Sequence, residues 1–153
     1  MAGAVQVLRV GDAAGLERVH ALRFEVFVDE QGVAPQEELD DRDHQVGTVH
    51  LLAVVGGADV GTARLLVDGP GAVHVTRVAV RASSRGSGTG RLLMAEAERI
   101  ALAEHATDGL VRVELSAQES AIGFYAALGY QIGTNRYLDA GIWHRDAVKV
   151  LHG

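Results

Sequence analysis

The chain has 153 residues, of which 48% are apolar and 22% charged, and it has no cysteine. Such values are typical of one globular domain, and the lack of cysteine excludes disulfides, thiolate metal sites and a cysteine nucleophile. The formal net charge of −6 lacks the positive excess of nucleic-acid-binding proteins.

Other classes are excluded by local patterns. The longest apolar runs, such as residues 51–55, are too short to span a bilayer, and residues 1–30 lack the basic and apolar regions of a signal peptide. We therefore expect a soluble, cytoplasmic protein with no membrane or nucleic-acid partner. The seven histidines have no paired spacing, so we predict no metal site.

The predicted elements begin with a strand at residues 5–10, a helix at residues 13–28 and an acidic, turn-like segment at residues 32–43. Further strands are predicted at residues 48–55, 60–67, 73–80, 110–116, 130–136 and 142–150, with helices at residues 93–104 and 119–128. Paired glycines at 56 and 57 predict a hairpin, and Gly109 is predicted to end the helix before it.

We predict one α/β domain over residues 1–153. Its central sheet is mixed, mostly antiparallel, with about six to seven strands and about four flanking helices.

The clearest functional signal lies in residues 73–91. A β-branched strand leads into Arg85-Gly86-Ser87-Gly88-Thr89-Gly90 and directly into a helical pattern. Glycine lets main-chain N–H groups approach a ligand closely, and a helix N-terminus has unpaired donors, so we predict a phosphate site. The spacing matches neither a Walker loop, which needs a Gly-Lys pair, nor the dinucleotide fingerprint.

A second motif follows this loop. The strand predicted at residues 110–116 ends in Ala117-Gln118, and the next helix carries Phe124-Tyr125-Ala126-Ala127-Leu128-Gly129-Tyr130. Together, the valine-rich strand, the Arg-x-x-Gly-x-Gly loop and this helix end resemble the Gcn5-related N-acetyltransferase (GNAT) superfamily.

The resemblance extends to the ElaA/YjcF-like branch of that superfamily. Its members share an Arg-x-Glu-Val-Phe-Val-x-Glu-Gln-x-Val block, an acidic stretch and a Leu-Asp-Ala-Gly-Ile-x-His ending. These motifs correspond to residues 23–33, 37–40 and 138–144, and the similarity covers roughly residues 5–148.

The resemblance implies acetyl-CoA as co-substrate. Main-chain groups of the strand would pair with the pantetheine arm, the loop would surround the pyrophosphate, and Tyr125 would give a proton to the departing thiolate. The residues implied in binding are Val78, Ala79, Val80, Arg85, Gly86, Ser87, Gly88, Thr89, Gly90, Arg91, Gln118, Phe124 and Tyr125.

Acetyl transfer also requires a neutral amine. An amine with a pKa near 10.4 is deprotonated only about once in 2,500 at pH 7, a deficit of roughly 4.6 kcal/mol, so a base is expected beside the acceptor. The candidates are His144 and Glu25, followed by Glu30 and Glu114.

Other charged residues allow two interpretations. Arg23 and Arg64 could bind an acidic substrate group or form salt bridges, and the acidic residues 37–43 could be solvated or attract a cationic acceptor.

The prediction is therefore an N-acetyltransferase that acts on a primary amine of a small molecule or peptide, with a homodimer left open. Three alternatives stand beside it. The chain could be an acyltransferase like the acyl-homoserine lactone synthases, a CoA-binding regulatory module without catalysis, or a nucleotide-binding protein that uses the glycine loop.

Overall fold

The structure is a computed structural model and describes residues 3–153. One mixed sheet of eight strands has the order β1-β2-β3-β4-β5-β8-β6, and β7 pairs with β8. The strands are β1 Gln6–Val10, β2 Val49–Val55, β3 Ala58–Gly69, β4 Ala72–Val80, β5 Leu110–Gln118, β6 Gln131–Ile132, β7 Tyr137–Asp139 and β8 Ile142–His152. The α/β class and the antiparallel β2-β3-β4 meander are confirmed.

Four α-helices flank the sheet. They are α1 Ala13–Arg23, α2 Pro35–Glu38, α3 Thr89–His105 and α4 Ile122–Ala127, and a π-helix, Phe24–Glu30, continues α1. None of the helices within residues 3–153 is long and apolar enough to cross a membrane.

Three predicted boundaries are wrong. Residues 130–136 do not form one strand, because β6 and β7 pair with β8 at separate registers, and this raises the strand count to eight. Helix α3 begins earlier than predicted because Gly88, with a φ of 87°, turns the chain straight into it. Gly109 does not end α3, which stops before the extended Ala106; Gly109 instead turns the chain into β5 with a φ of 75°.

The main core lies between the sheet and α3. Side chains of α3 at helical spacing pack against inward-facing residues of the central strands, and most are completely buried. The principal members are Leu65, Val73, Val75, Leu93, Met94, Ala97, Ile100, Val111 and Val113. A smaller cluster on Leu22 and Val26 packs the α1 side against Ala79.

The strands β4 and β5 are parallel neighbours for only a short distance. Their register joins Ala72–His74 to residues 112–114, and beyond that point the two strands separate. Strand β5 instead stays paired along its whole length with β8. The separation leaves an unpaired edge on each strand and opens a cleft in the sheet.

Candidate active site

The cleft between β4 and β5 contains a cavity of about 450 Å³. Its walls come from the π-helix, α2, β4, β5, α4 and the β7–β8 hairpin. Four predicted site residues from four elements meet there: Val78, Gln118, Tyr125 and His144. The volume is typical of sites for small molecules.

The edge of β4 offers main-chain groups to this cleft. On the opposite side, the N–H of Arg81 donates to the carbonyl of Val60 at 2.8 Å. By the alternation of an antiparallel ladder, the amide and carbonyl of Val80 then point to the free edge. Ala79 pairs with Thr62 of β3 and is only 3% exposed, so its predicted contact with a ligand is not supported.

The glycine loop presents a row of free donors. Gly86 and Gly88 adopt φ values of 79° and 87°, which glycine reaches without strain. Within residues 3–153, the amide N–H groups of residues 86–91 have no hydrogen-bond acceptor, and α3 has no side-chain N-cap. These donors lie at the positive end of the α3 dipole, which is the physical requirement for an anion site.

Side chains of the loop hold its shape. Arg85 donates from Nε to the carbonyl of Val80 at 3.0 Å, and the Ser87 hydroxyl contacts the Ser84 carbonyl and lies 2.9 Å from the Thr89 hydroxyl. Arg91 is exposed. The loop follows the free edge of β4 after a short turn, in which the N–H groups of Ser84 and Arg85 donate to the carbonyls of Arg81 and Ala82.

Gly90 lies against the ring of Phe124, so a larger residue at position 90 would crowd that ring. A Cβ atom at Gly90 would lie 3.2 Å from Cζ of Phe124, which is tighter than ordinary van der Waals contact. The two motifs found separately in the sequence therefore touch in the fold, and Phe124 packs on the start of α3.

Tyr125 is buried at the end of the cavity. Its ring makes edge contacts with Phe124 and Tyr130 at centroid distances of 5.0 and 5.9 Å. Its hydroxyl has no hydrogen-bond partner within the described chain and is not fully sealed from solvent. Burial raises the pKa of Tyr125 to about 12, so the phenol keeps its proton at neutral pH.

His144 has a defined tautomer. Its Nδ1 lies 2.7 Å from the carbonyl oxygen of Ile142, which can only accept, so Nδ1 carries the proton. In a neutral imidazole with this tautomer Nε2 has the lone pair, and the ring stacks on Tyr137 with the two ring centroids 6.0 Å apart. Because His144 lines the cavity, this nitrogen is a candidate proton acceptor.

The three carboxylates predicted as bases lie outside the cavity wall. Glu25 accepts from Arg81 at 2.9 Å, and Glu30 accepts from Arg85 at 2.9 Å. Glu114 lies on β5 with its carboxylate 3.7 Å from Nε2 of His74. Each of the three carboxylates therefore contacts a basic side chain and does not face the cavity.

His74 lines the same cavity and is not among the predicted site residues. Its Nδ1 is hydrogen-bonded to Asp68, and Glu114 faces it in the β4–β5 register. A carboxylate that orients an imidazole is a familiar arrangement for proton transfer. Two features of the sequence could have indicated His74: it lies on the same predicted strand as Val78, and Asp68 precedes it across a short turn.

The acidic segment is not a solvated loop. Asp43 is buried and accepts from Nη1 of Arg23 at 2.7 Å and from Nη1 of Arg64 at 2.8 Å. Arg23 also donates to Glu38 at 2.5 Å, and Arg64 donates to Asp40 at 2.7 Å. Arg23 and Arg64 are 0% and 1% exposed, so of the two predicted interpretations the structure supports salt bridges.

We call these five residues, Arg23, Glu38, Asp40, Asp43 and Arg64, the buried charge cluster. Burial alone would raise the pKa of Asp43, but hydrogen bonds from Arg23 and Arg64 outweigh it and lower that pKa well below its usual range. The cluster fixes α2 and the following turn against β3, and so it holds one wall of the cavity in place.

Gln118 closes another part of the wall. Its Nε2 donates at 2.8 Å to Oε1 of Gln31, which directly follows the π-helix. Within residues 3–153 no group of three or more histidine and acidic side chains is arranged to hold a metal ion.

The chain is similar to known proteins over most of its length. A family model described as an acetyltransferase (GNAT) domain matches residues 46–132. YjcF, an uncharacterised N-acetyltransferase of Bacillus subtilis, is 35% identical over 84% of this chain and 87% of its own length.

Solved structures share the fold. An acyl-CoA N-acyltransferase from Pseudomonas aeruginosa has 30% identity and a TM-score of 0.82, covering 95% of this chain and 99% of its own. ElaA from Escherichia coli has 25% identity and a TM-score of 0.82 over the same shares of the two chains.

Proposed function

This chain belongs to the GNAT acetyltransferase family, and on that premise we propose that it transfers the acetyl group of acetyl-CoA to a primary amine. One observation carries the proposal. The free edge of β4 and the unpaired amides of residues 86–91 lie on either side of one short turn, so the two together fit an extended arm that ends in phosphates.

The residues present fit the donor. Val80 would pair with the amide groups of the pantetheine arm, as a peptide pairs with a sheet edge, and the amides of Gly86, Gly88 and their neighbours would bind the pyrophosphate. Acetyl-CoA supplies the acetyl group as an activated thioester. Its thioester end would lie in the cavity that Tyr125 and His144 share.

His144 is the proposed base. Its Nε2 takes the proton that the amine loses while the new C–N bond forms and the C–S bond breaks. The proton on Nδ1 is held by the Ile142 carbonyl, so the imidazolium that results keeps both of its N–H groups oriented.

Tyr125 acts on the leaving sulfur. With a pKa of about 12 its phenol is a weaker acid than a thiol of pKa about 8.5, so complete proton transfer to the thiolate is unfavourable by roughly 3.5 pKa units. Tyr125 therefore donates a hydrogen bond that stabilises the thiolate, which leaves with the CoA product.

The direct test is release of free thiol from acetyl-CoA in the presence of a panel of primary amines. Since the chain has no cysteine, a thiol reagent reports only the CoA produced. Turnover above the hydrolysis background with at least one amine is expected. Binding of CoA with no turnover by any amine would favour the regulatory module.

The donor site is tested by calorimetry with acetyl-CoA, CoA and ATP. Both CoA species are expected to bind, and ATP is expected not to compete. Gly88→Asp should weaken CoA binding about tenfold or more, because it brings a carboxylate to the proposed phosphate site. Gly57→Asp is the matched control, since Gly57 has a similar φ of 83° and equally open surroundings in the β2–β3 turn.

Retained CoA affinity in Gly88→Asp would contradict the loop assignment. Comparable turnover with hexanoyl-CoA would instead support the acyl-homoserine-lactone-synthase-like alternative. A homodimer and a cytoplasmic location stay predictions.

A further inference from the structure

Arg77 has an unusual backbone. It is a non-glycine residue with a φ of 54°, at the point where the register of β3 and β4 shifts between Thr62 and Arg64. A left-handed conformation is unfavourable for a bulky residue, and bulges beside active sites commonly redirect a side chain. Here the redirected guanidinium lines the cavity that holds Tyr125 and His144.

Arg77 is also incompletely paired. Its Nη2 donates to the carbonyl of Glu38 at 3.0 Å and to Asp40 at 3.2 Å, which fixes one side of the guanidinium against α2. Its buried Nε lies 3.4 Å from Oε1 of Glu38 without a hydrogen bond, whereas within the described chain Nη1 has no acceptor and is not sealed from solvent. A fixed guanidinium whose Nη1 is unpaired and open to solvent can donate to a carboxylate.

The charges around Arg77 are largely paired with one another. The carboxylates nearest Arg77, Glu38 and Asp40, are already bonded to Arg23 and Arg64 of the buried charge cluster. Burial, followed by repulsion from Arg64 and Arg23, lowers the pKa of Arg77 below its usual value. Arg42 adds another positive charge to the same wall.

Two other acidic side chains of the cavity wall are free to bind an ammonium group. Glu37 and Asp139 line the cavity, and neither side chain makes an ion pair with a described residue. The cavity wall therefore presents both signs of charge, and its volume of about 450 Å³ suits a small molecule rather than a folded protein surface.

From this geometry we propose that Arg77 binds a carboxylate of the acceptor, and that the acceptor is a small amino acid-like molecule carrying an amine and a carboxylate. The inference rests on the transferase function proposed above and specifies its substrate. Arg77 is a specificity-determining residue in this scheme, and His144 remains the base.

The test uses matched acceptors with the unaltered protein. Phenylalanine with phenethylamine, leucine with isopentylamine, and histidine with histamine differ only in the carboxylate. At least one amino acid is expected to exceed its decarboxylated partner in kcat/KM by about tenfold or more. Equal or better turnover of the decarboxylated partners in every pair would overturn the inference and leave the transferase proposal intact.

Variants then test whether Arg77 causes the preference for the amino acid over its decarboxylated partner. Arg77→Met should reduce the preferred pair's kcat/KM ratio to near one. Arg77→Lys should retain part of the preference. Arg99→Met removes an exposed charge from α3, far from the cavity, and should keep the full ratio. An unchanged ratio in Arg77→Met would also overturn the inference, whereas no thiol release with any acceptor would overturn the transferase proposal itself.

Discussion

Replacement of Tyr125 by phenylalanine tests how the leaving sulfur is stabilised. The substitution removes one hydroxyl and keeps the ring that contacts Phe124 and Tyr130 at 5.0 and 5.9 Å. A hydrogen bond to a charged group contributes about 1.5–3 kcal/mol, so its loss in the transition state should lower kcat by roughly 10- to 150-fold. Acetyl-CoA affinity should stay within about twofold, because the hydrogen bond becomes strong only when the sulfur gains negative charge in the transition state.

The assay is thiol release at saturating acetyl-CoA, combined with calorimetry for the donor. Tyr130→Phe is the matched control: Tyr130 touches Tyr125, but its hydroxyl donates to Glu98 of α3 at 2.8 Å, and neither residue lines the cavity. The pH profile adds a further check, since a phenol with a pKa of about 12 remains protonated and gives no descending limb between pH 7 and 10. An unchanged kcat in Tyr125→Phe, or an equal loss in Tyr130→Phe, would refute the role assigned to Tyr125.

Two further variants test the base and the buried charge cluster. His144→Ala should lower kcat/KM at pH 7 by about 10²–10⁴-fold, with partial recovery at higher pH as more amine is neutral; a larger loss in His74→Ala would transfer the role to the Asp68-bound histidine. Asp43→Asn should cost about 3–5 kcal/mol in urea unfolding at pH 7, because it leaves Arg23 and Arg64 buried without their shared anion. Since the folded-state pKa of Asp43 is lowered, its stabilisation is complete above about pH 4 and declines as the pH falls further, so the difference between variant and parent should narrow there. Asp41→Asn, exposed in the same turn, is the control, and a loss below about 1 kcal/mol in Asp43→Asn would contradict the description of the cluster.

The segment proposed to bind the acetyl donor could be predicted from the sequence, because the patterns that indicate it are local. The strand, the glycine loop and the start of α3 are contiguous, and each follows from neighbouring residues: β-branched side chains, glycines with positive φ and helical spacing. The contact between Gly90 and Phe124 could not be derived from spacing, yet both residues belong to motifs recognised by their type.

The contacts around the proposed acceptor site could not be predicted in this way, because the residues that meet there are distant in the sequence. Arg23 meets Asp43 and Arg64 meets Asp40 only after the sheet brings them together, and a sequence gives no sign that a run of acids will be buried. The left-handed conformation of Arg77 arises from a register shift between two strands, which an apolar pattern does not show. His74 was missed because its partner Asp68 lies across a turn on another strand.

The β7–β8 hairpin is a place where the size of the cavity can change while the rest of the fold stays the same. Its tip, at Ala140 and Gly141, has φ values of 50° and 77° and borders the cavity through Asp139, Ala140 and Ile142. Lengthening or shortening that tip would change the size of the cavity while the long β5–β8 ladder kept His144 in place. Under the proposed function, hairpins of different length would admit different amines, and the main-chain groups of β4 and the glycine loop on the other side of the cleft would stay unchanged.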